Sequence, residues 1–203
     1  VLIKWIRCWT TDRAAFDFGQ RAWTQLAGVP GFLGQGGGWS RKAPGVAQIF
    51  GFWSDPPAYR AFMDCAHDRI AAAQTGTYDD LRVRVLEQRR GIAAGLPAGL
   101  DGSSLLRLAH CQVRERRRDH FIRAQVEVWN PGMAASRGMR GSIFAESAEA
   151  DFLVLSAWNT AEDHQLYLDE RFERLHAAAE ADADLDAVTG DVVDLEPGWT
   201  VLG

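Results

Sequence analysis

The segments FGFWSDPPAYRAFMDCAHDRIAA (residues 50–72) and LSAWNTAEDHQLYLDERFERLHA (residues 155–177) align without a gap. Trp53 falls on Trp158, Phe62 on Tyr167, Asp64 on Asp169, Arg69 on Arg174 and Ile70 on Leu175. Working outward, LIKWIRC (2–8) matches LLRLAHC (105–111), Arg21-Ala22 matches Arg123-Ala124, PGF (30–32) matches PGM (131–133), and RVRVLE (82–87) matches DVVDLE (191–196). Blocks in the same order twice over mean a tandem duplication, and a repeat of this length decides the fold before any single motif does.

Each half reads as strand, helix, strand, strand, helix, strand. Residues 1–9 are rich in β-branched and aromatic side chains, as strands are. Asp12 can cap a helix whose apolar stripe runs Ala15, Phe16, Gly19, Ala22, Trp23, Leu26. Residues 32–40 and 46–53 predict a hairpin around KAPG. Ser54 or Asp55 ahead of Pro56-Pro57 predicts the next helix start, with Tyr59, Phe62, Met63, Ala66 and Ile70 facing inward. Thr160 and Asp163 form a capping-box-like pair at the equivalent start. The boundaries follow: a first repeat over 1–90, a Gly-, Ala- and Pro-rich linker over 91–103, and a second repeat over 104–203. A four-stranded sheet with helices on one face leaves the other bare, and strands 1–9 and 46–53 are apolar on both alternations. The expected fold is therefore α+β, two tandem ferredoxin-like (βαββαβ) units packed sheet to sheet, a pseudo-dimer within one chain.

The net charge of −5 and pI near 5.5 argue against nucleic-acid binding. The one basic cluster, Arg114 with Arg116–Arg118, alternates with Glu115 and Asp119 and reads as a solvated helix start. Cys8, Cys65 and Cys111 match no metal or redox spacing and read as reduced thiols. No apolar run approaches a membrane span, and VLIKWIRCW has none of the parts of a signal peptide, so a cytoplasmic location is expected. No phosphate loop, metal-ligand cluster, nucleophile elbow or dinucleotide fingerprint is present, and neither a metal nor a cofactor is expected.

The residues PGFLG opening the second strand, the third strand IFGFW with its counterpart VLSAW, and the Trp-Ser/Asn entry to the following helix resemble the dimeric α+β barrels of the antibiotic-biosynthesis-monooxygenase type. The first half also resembles uncharacterised bacterial proteins of that fold. The resemblance covers nearly the whole chain, once per half. It implies a small-molecule protein: a cofactor-independent oxygenase of an apolar aromatic compound, or a non-catalytic binding or stress-response protein. Haem-degrading relatives imply a histidine near His176, after Phe172, but Tyr167 stands where their tryptophan is expected, which disfavours haem. Further homodimerisation is left open.

His67 is the sharpest candidate, because it replaces the core residue Phe172 of the other repeat on a sheet-facing helix face. It is assigned as general base. Arg7, with Lys4 and their counterparts His110 and Arg107, is a polar group in a covered strand. Arg7 is assigned as the oxyanion partner, pairing with Glu87 or Asp64 being the structural alternative. Tyr59, in the place of His164, can offer a hydrogen bond to a ligand, and Trp39 and Phe62 wall the site. The run GFLGQGGGW is assigned to the second strand. Its counterpart, taken as PGMAASRGMRGSI, fills the small positions, so close approach of a backbone or a ligand near Gly36 is expected in the first repeat.

Overall fold

The structure, a computed structural model, describes residues Val1–Gly203. Residues Val1–Gln88 and Val192–Gly203 form one compact unit, and Arg89–Asp191 form the other.

In the first unit β1 (Leu2–Thr10) leads to α1 (Arg13–Gln20), which tightens into a 3₁₀ turn over Arg21–Leu26. Asp12 caps α1 as its sequence position predicts, its carboxylate accepting from Ala15 N–H at 2.9 Å. The hairpin follows as β2 (Phe32–Ser40) and β3 (Val46–Trp53), then α2 (Pro56–Cys65) and the short α3 (His67–Ala71). Of the two candidate caps for α2, Asp55 is the one that accepts from Ala58 N–H, at 2.8 Å. That bond, with the Ser54 hydroxyl, holds the Asp55 carboxyl below its ordinary range. The last strand, β4 (Tyr78–Ala93), pairs with β1, so the strand order is β2-β3-β1-β4 with antiparallel neighbours. This is the ferredoxin-like order. Trp23, Phe32, Trp53, Phe62 and Ile70 form the core between helices and sheet, and β3 is buried along its whole length. Each large apolar side chain so buried stabilises by about 1.5–3 kcal/mol.

The second unit repeats the plan with β5 (Leu105–Val113), α4 (Arg118–Ala124), a wide π-turn over Gln125–Trp129 and α5 (Asn130–Ala134). Then come β6 (Met139–Ser147), β7 (Asp151–Trp158), α6 (Ala161–Tyr167), a second π-turn over Leu168–Phe172, α7 (Glu173–Ala178), α8 (Ala181–Asp184) and β8 (Leu185–Leu195). Thr160 accepts from Asp163 N–H at 3.1 Å, the expected cap. Arg117 and His120 both hold the buried Asp184, at 2.8 Å each. Arg114 meets Asp186, and Arg118 meets Glu146. Arg114, Arg117 and Arg118 of the basic cluster are thus held in ion pairs at a helix start.

Compact units and sequence repeats part company at the C terminus. Residues 192–203 derive from the second repeat but pack in the first unit, where β8 lies antiparallel to β2 through Gly38↔Leu195, Trp39↔Asp194 and Ser40↔Val193. The short β9 (Val201–Leu202) continues along β2 at Gly34 and Gln35. Between them Trp199 is fully buried, edge-on to Phe16 and Trp39, with its Nε1 donating to Asp17 at 2.8 Å. Without this segment β2 would be an open edge.

The glycine run now has its reason. A methyl at Gly37 would lie 2.6 Å from the Gln48 carbonyl oxygen, and one at Gly38 would overlap the backbone of Asp194. At both positions it is a neighbouring backbone that approaches. The counterpart of the run is also shifted from where PGM suggested, because Pro131–Met133 lie inside α5. The matching left-handed glycines are Gly31 (φ 77°) and Gly138 (φ 74°), and both copies bulge next, at Gly34 and Gly141. Gly36–Gly38 therefore correspond to Ile143, Phe144 and Ala145.

Candidate functional site

Along β1, Lys4, Ile6 and Cys8 face the helices, while Ile3, Trp5 and Arg7 take the other face by strand alternation. Between helices and sheet of the first unit lies a cavity of about 390 Å³. Lys4, Gln35 and Gly51 contribute to its floor, and Trp23, Phe62 and His67 to its helical wall. Gly51 lies directly across from Lys4 in the β1–β3 ladder, and a methyl there would meet nothing closer than Trp53 Nε1 at 3.7 Å. The missing side chain is what opens the space above Lys4.

Lys4 is only 6 % exposed. Its Nζ donates to the thioether Sδ of Met63 at 3.6 Å and lies 5.6 Å from the centre of the Tyr59 ring. Neither Glu87 nor Asp64 is paired with it. An ammonium stripped of water without an anionic partner is poorly stabilised, and burial lowers the Lys4 pKa from 10.5 to about 8. The same burial raises the neighbouring Cys8 thiol to about 12, partly offset by Lys4. Cys8 is a core thiol rather than a nucleophile.

His67 reaches the cavity because the helix predicted as continuous breaks at Ala66 (φ −133°), so that α3 restarts with His67 at its first position. Its ring is 5.6 Å from Trp23 and 5.8 Å from Phe62, and its Nδ1 lies 2.9 Å from a carboxylate oxygen of the exposed Asp68. A carboxylate on Nδ1 favours the tautomer with the proton there, leaving the lone pair on Nε2. Two glutamines of the lining are hydrogen-bonded to one another and to the wall: Trp23 Nε1 donates to Gln74 and Gln74 donates to Gln20, both at 2.8 Å.

Of the residues assigned from sequence, His67, Tyr59 and Phe62 come together around this cavity. Arg7 does not: it lies on the opposite sheet face with its guanidinium 4.9 Å from the Trp9 ring and its Nε buried without a partner. Trp39 shares the helix face but sits at the far end of β2, packed with Phe16, Cys8 and Trp199. Gly36 takes the face opposite Gln35. Lys4, which the sequence reading grouped with Arg7, is the cation of the site, and Gly51 is the residue that reading missed.

The second unit keeps a reduced version of about 110 Å³. Arg107 replaces Lys4, with its guanidinium 5.5 Å from the Phe172 ring that replaces His67. His176 also lines this space, with its Nε2 3.3 Å from Asp182. The repeats have diverged in size and chemistry at the same place in the fold.

Residues 2–86 match a family described as a domain of unknown function (DUF4937). Over 75 residues, 34% of this chain, the sequence is 37% identical to the uncharacterised protein YdbC of Bacillus subtilis (strain 168), and the match spans 62% of that relative, about three fifths of its length. Among solved structures, a protein of Lactobacillus acidophilus provisionally named a monooxygenase matches with a TM-score of 0.79 at 12% identity, covering 99% of this chain and 95% of its own. An anthrone oxidase-like protein matches with a TM-score of 0.68 at 13% identity, covering 96% and 91%. A ferredoxin-fold protein of Listeria monocytogenes related to antibiotic biosynthesis monooxygenases gives 0.54 at 8% identity, covering 96% and 95%. The fold is accordingly α+β with ferredoxin-like units, as in these structures, which cover both repeats. The match to the domain of unknown function lies within the first repeat. No helix is long and apolar enough to cross a membrane.

Proposed function

We propose that the first unit oxidises an apolar aromatic compound bearing an ionisable hydroxyl or an acidic C–H group, without a bound cofactor. The observation that carries this is one aromatic-walled cavity holding both a histidine and a buried lysine that lacks a carboxylate. His67 Nε2 takes the substrate proton, and the Lys4 ammonium stabilises the resulting anion in place of the Arg7 of the sequence reading. The anion is electron-rich enough to react with dioxygen directly. For a methylene substrate one oxygen atom enters the product as a carbonyl and the other leaves as water, the electrons coming from the two C–H bonds. The anthrone oxidase-like neighbour supports a substrate of this kind.

The test is oxygen uptake with an anthrone and a panel of polycyclic phenols. His67→Gln, which keeps a polar side chain in the wall, is expected to slow uptake roughly a hundredfold or more. Uptake unchanged in that variant sinks the base assignment. A second reading, a binding protein with no turnover, is favoured by the nearly full exposure of Asp68, 99 % at the side chain, which screens its support of His67. It predicts fluorescence quenching of the cavity tryptophans by the same compounds with no oxygen consumed. Both readings require the cavity, so Gly51→Leu is expected to abolish binding while leaving the far-UV circular dichroism unchanged.

A further inference from the structure

We propose that Lys4 is also an amine nucleophile, and that the cavity of the first unit holds aromatic aldehydes or ketones reversibly as an imine on its Nζ. This goes beyond the oxidation reading but rests on the same cavity.

The geometry isolates the amine. Lys4 Nζ points to a thioether and an aromatic ring, neither of which competes for its lone pair. Gly51 opposite leaves room above it for the tetrahedral adduct, and the cavity of about 390 Å³ accommodates a carbonyl compound of up to three fused rings. A lysine desolvated in an apolar pocket is one of the recognised ways in which an amine is activated toward carbonyl groups. With its pKa lowered to about 8, an appreciable fraction of Lys4 is neutral near pH 7.5. The chain's usage of basic residues points the same way. Of its 22 lysines and arginines only Lys4 and Lys42 are lysines, and the other repeat has Arg107 at the place of Lys4. A guanidinium supplies the charge but never the free amine, so the repeat with the larger cavity keeps the cation that can lose its proton.

The step balances without an oxidant. The Nζ lone pair forms a C–N bond to the carbonyl carbon while the C–O π pair takes a proton and becomes a hydroxyl. A second proton carries that hydroxyl away as water as the nitrogen forms C=N, and the nitrogen releases its surplus protons. His67, on the wall of the same cavity, can exchange these protons. Water reverses the sequence.

The experiment is reductive trapping on the whole chain. The protein is incubated with 2-naphthaldehyde and sodium cyanoborohydride from pH 6.5 to 9, and labelled peptides are located by mass spectrometry. The exposed Lys42 is the internal reference. Labelling at Lys4 is expected to exceed that at Lys42 at least tenfold at pH 7.5, and to fall to background in Gly51→Leu, which leaves Lys4 in place. Labelling at Lys4 no greater than at Lys42, or unaffected by Gly51→Leu, overturns the proposal. Trapping consumes no oxygen, so the two readings fail separately: oxygen uptake without a Lys4 adduct removes this inference and leaves the oxidation, and an adduct without uptake does the reverse.

Discussion

Gly38→Ala is expected to destabilise the first unit by about 4 kcal/mol or more, at the upper end of what single substitutions do. The added methyl would fall on the Asp194 carbonyl group, with the carbonyl carbon at 2.7 Å and Leu195 Cα at 2.9 Å. All of these are backbone atoms, so no rotamer change relieves the overlap. β2 and the 193–195 stretch must separate, and with them go the ladder at Gly38, Trp39 and Ser40 and the bidentate contact of Arg41 with Asp194. Separation also draws on Trp199, which is fully buried between Phe16 and Trp39. Urea unfolding monitored by tryptophan fluorescence reads the loss. Gly45→Ala is the control for a glycine with positive φ (82°) but open space around it, and it should cost about 1 kcal/mol from backbone strain alone. Equal losses in the two variants would refute the backbone-contact account of the glycine run.

That run also shows where the sequence was legible and where it was not. The element order, Asp12, Asp55 and Thr160 as caps, and the hairpin at KAPG are local: each depends on residues a few positions apart, and each is found where expected. The identity of the segment beside Gly38 is not local, since Asp194 is more than 150 residues away. The misplaced counterpart of the run has a physical cause as well. The π-turn at Gln125–Trp129 and the continuation into α5 lengthen the helix of the second repeat, so a matching Pro-Gly pair sits inside a helix in one copy and before a strand in the other.

The candidate site was half legible for a related reason. β1 is apolar on both alternations, with Ile3 and Trp5 buried on one face and Cys8 on the other, so parity alone could not say whether Lys4 or Arg7 meets the helices. Period two places residues on alternate faces but does not say which face the helices cover. His67 was legible because it stands against a phenylalanine in the other repeat. Gly51 was not, because its contribution is the absence of a side chain opposite Lys4, which only the strand register reveals.

Lys4→Met is expected to make the protein more stable, by about 3 kcal/mol at pH 7. Methionine has a similar length, suits a site already formed by Met63 and Tyr59, and carries no charge to desolvate. The magnitude follows from the fall of the Lys4 pKa from 10.5 to about 8, at roughly 1.4 kcal/mol per unit. With Lys4 only 6 % exposed, solvent screening takes little from it. The sign can be checked through pH. Below about 8 both folded and unfolded chains hold the Lys4 proton, and the burial penalty is present in full. Between about 8 and 10.5 the folded chain has released a proton that the unfolded chain still binds, so wild-type stability rises with pH relative to the variant. The Cys8 and Cys111 thiols, each raised from 9.0 to about 12, act oppositely above pH 9, since the folded chain keeps protons that the unfolded chain loses. Cys111 is common to wild type and variant, and Cys8, whose thiol Lys4 only partly lowers, keeps its proton in both folded chains below about pH 10.5, so over that range the difference between the two proteins reports Lys4. The advantage of Lys4→Met should therefore be largest at pH 7 and shrink toward zero by pH 10.5, as read from urea midpoints at fixed ionic strength. A variant less stable than wild type at pH 7, or an advantage independent of pH, would mean that the lysine has an anionic partner in the folded protein. Gain of stability together with loss of oxygen uptake and of aldehyde trapping is the pattern expected of a charge retained for chemistry at the expense of the fold.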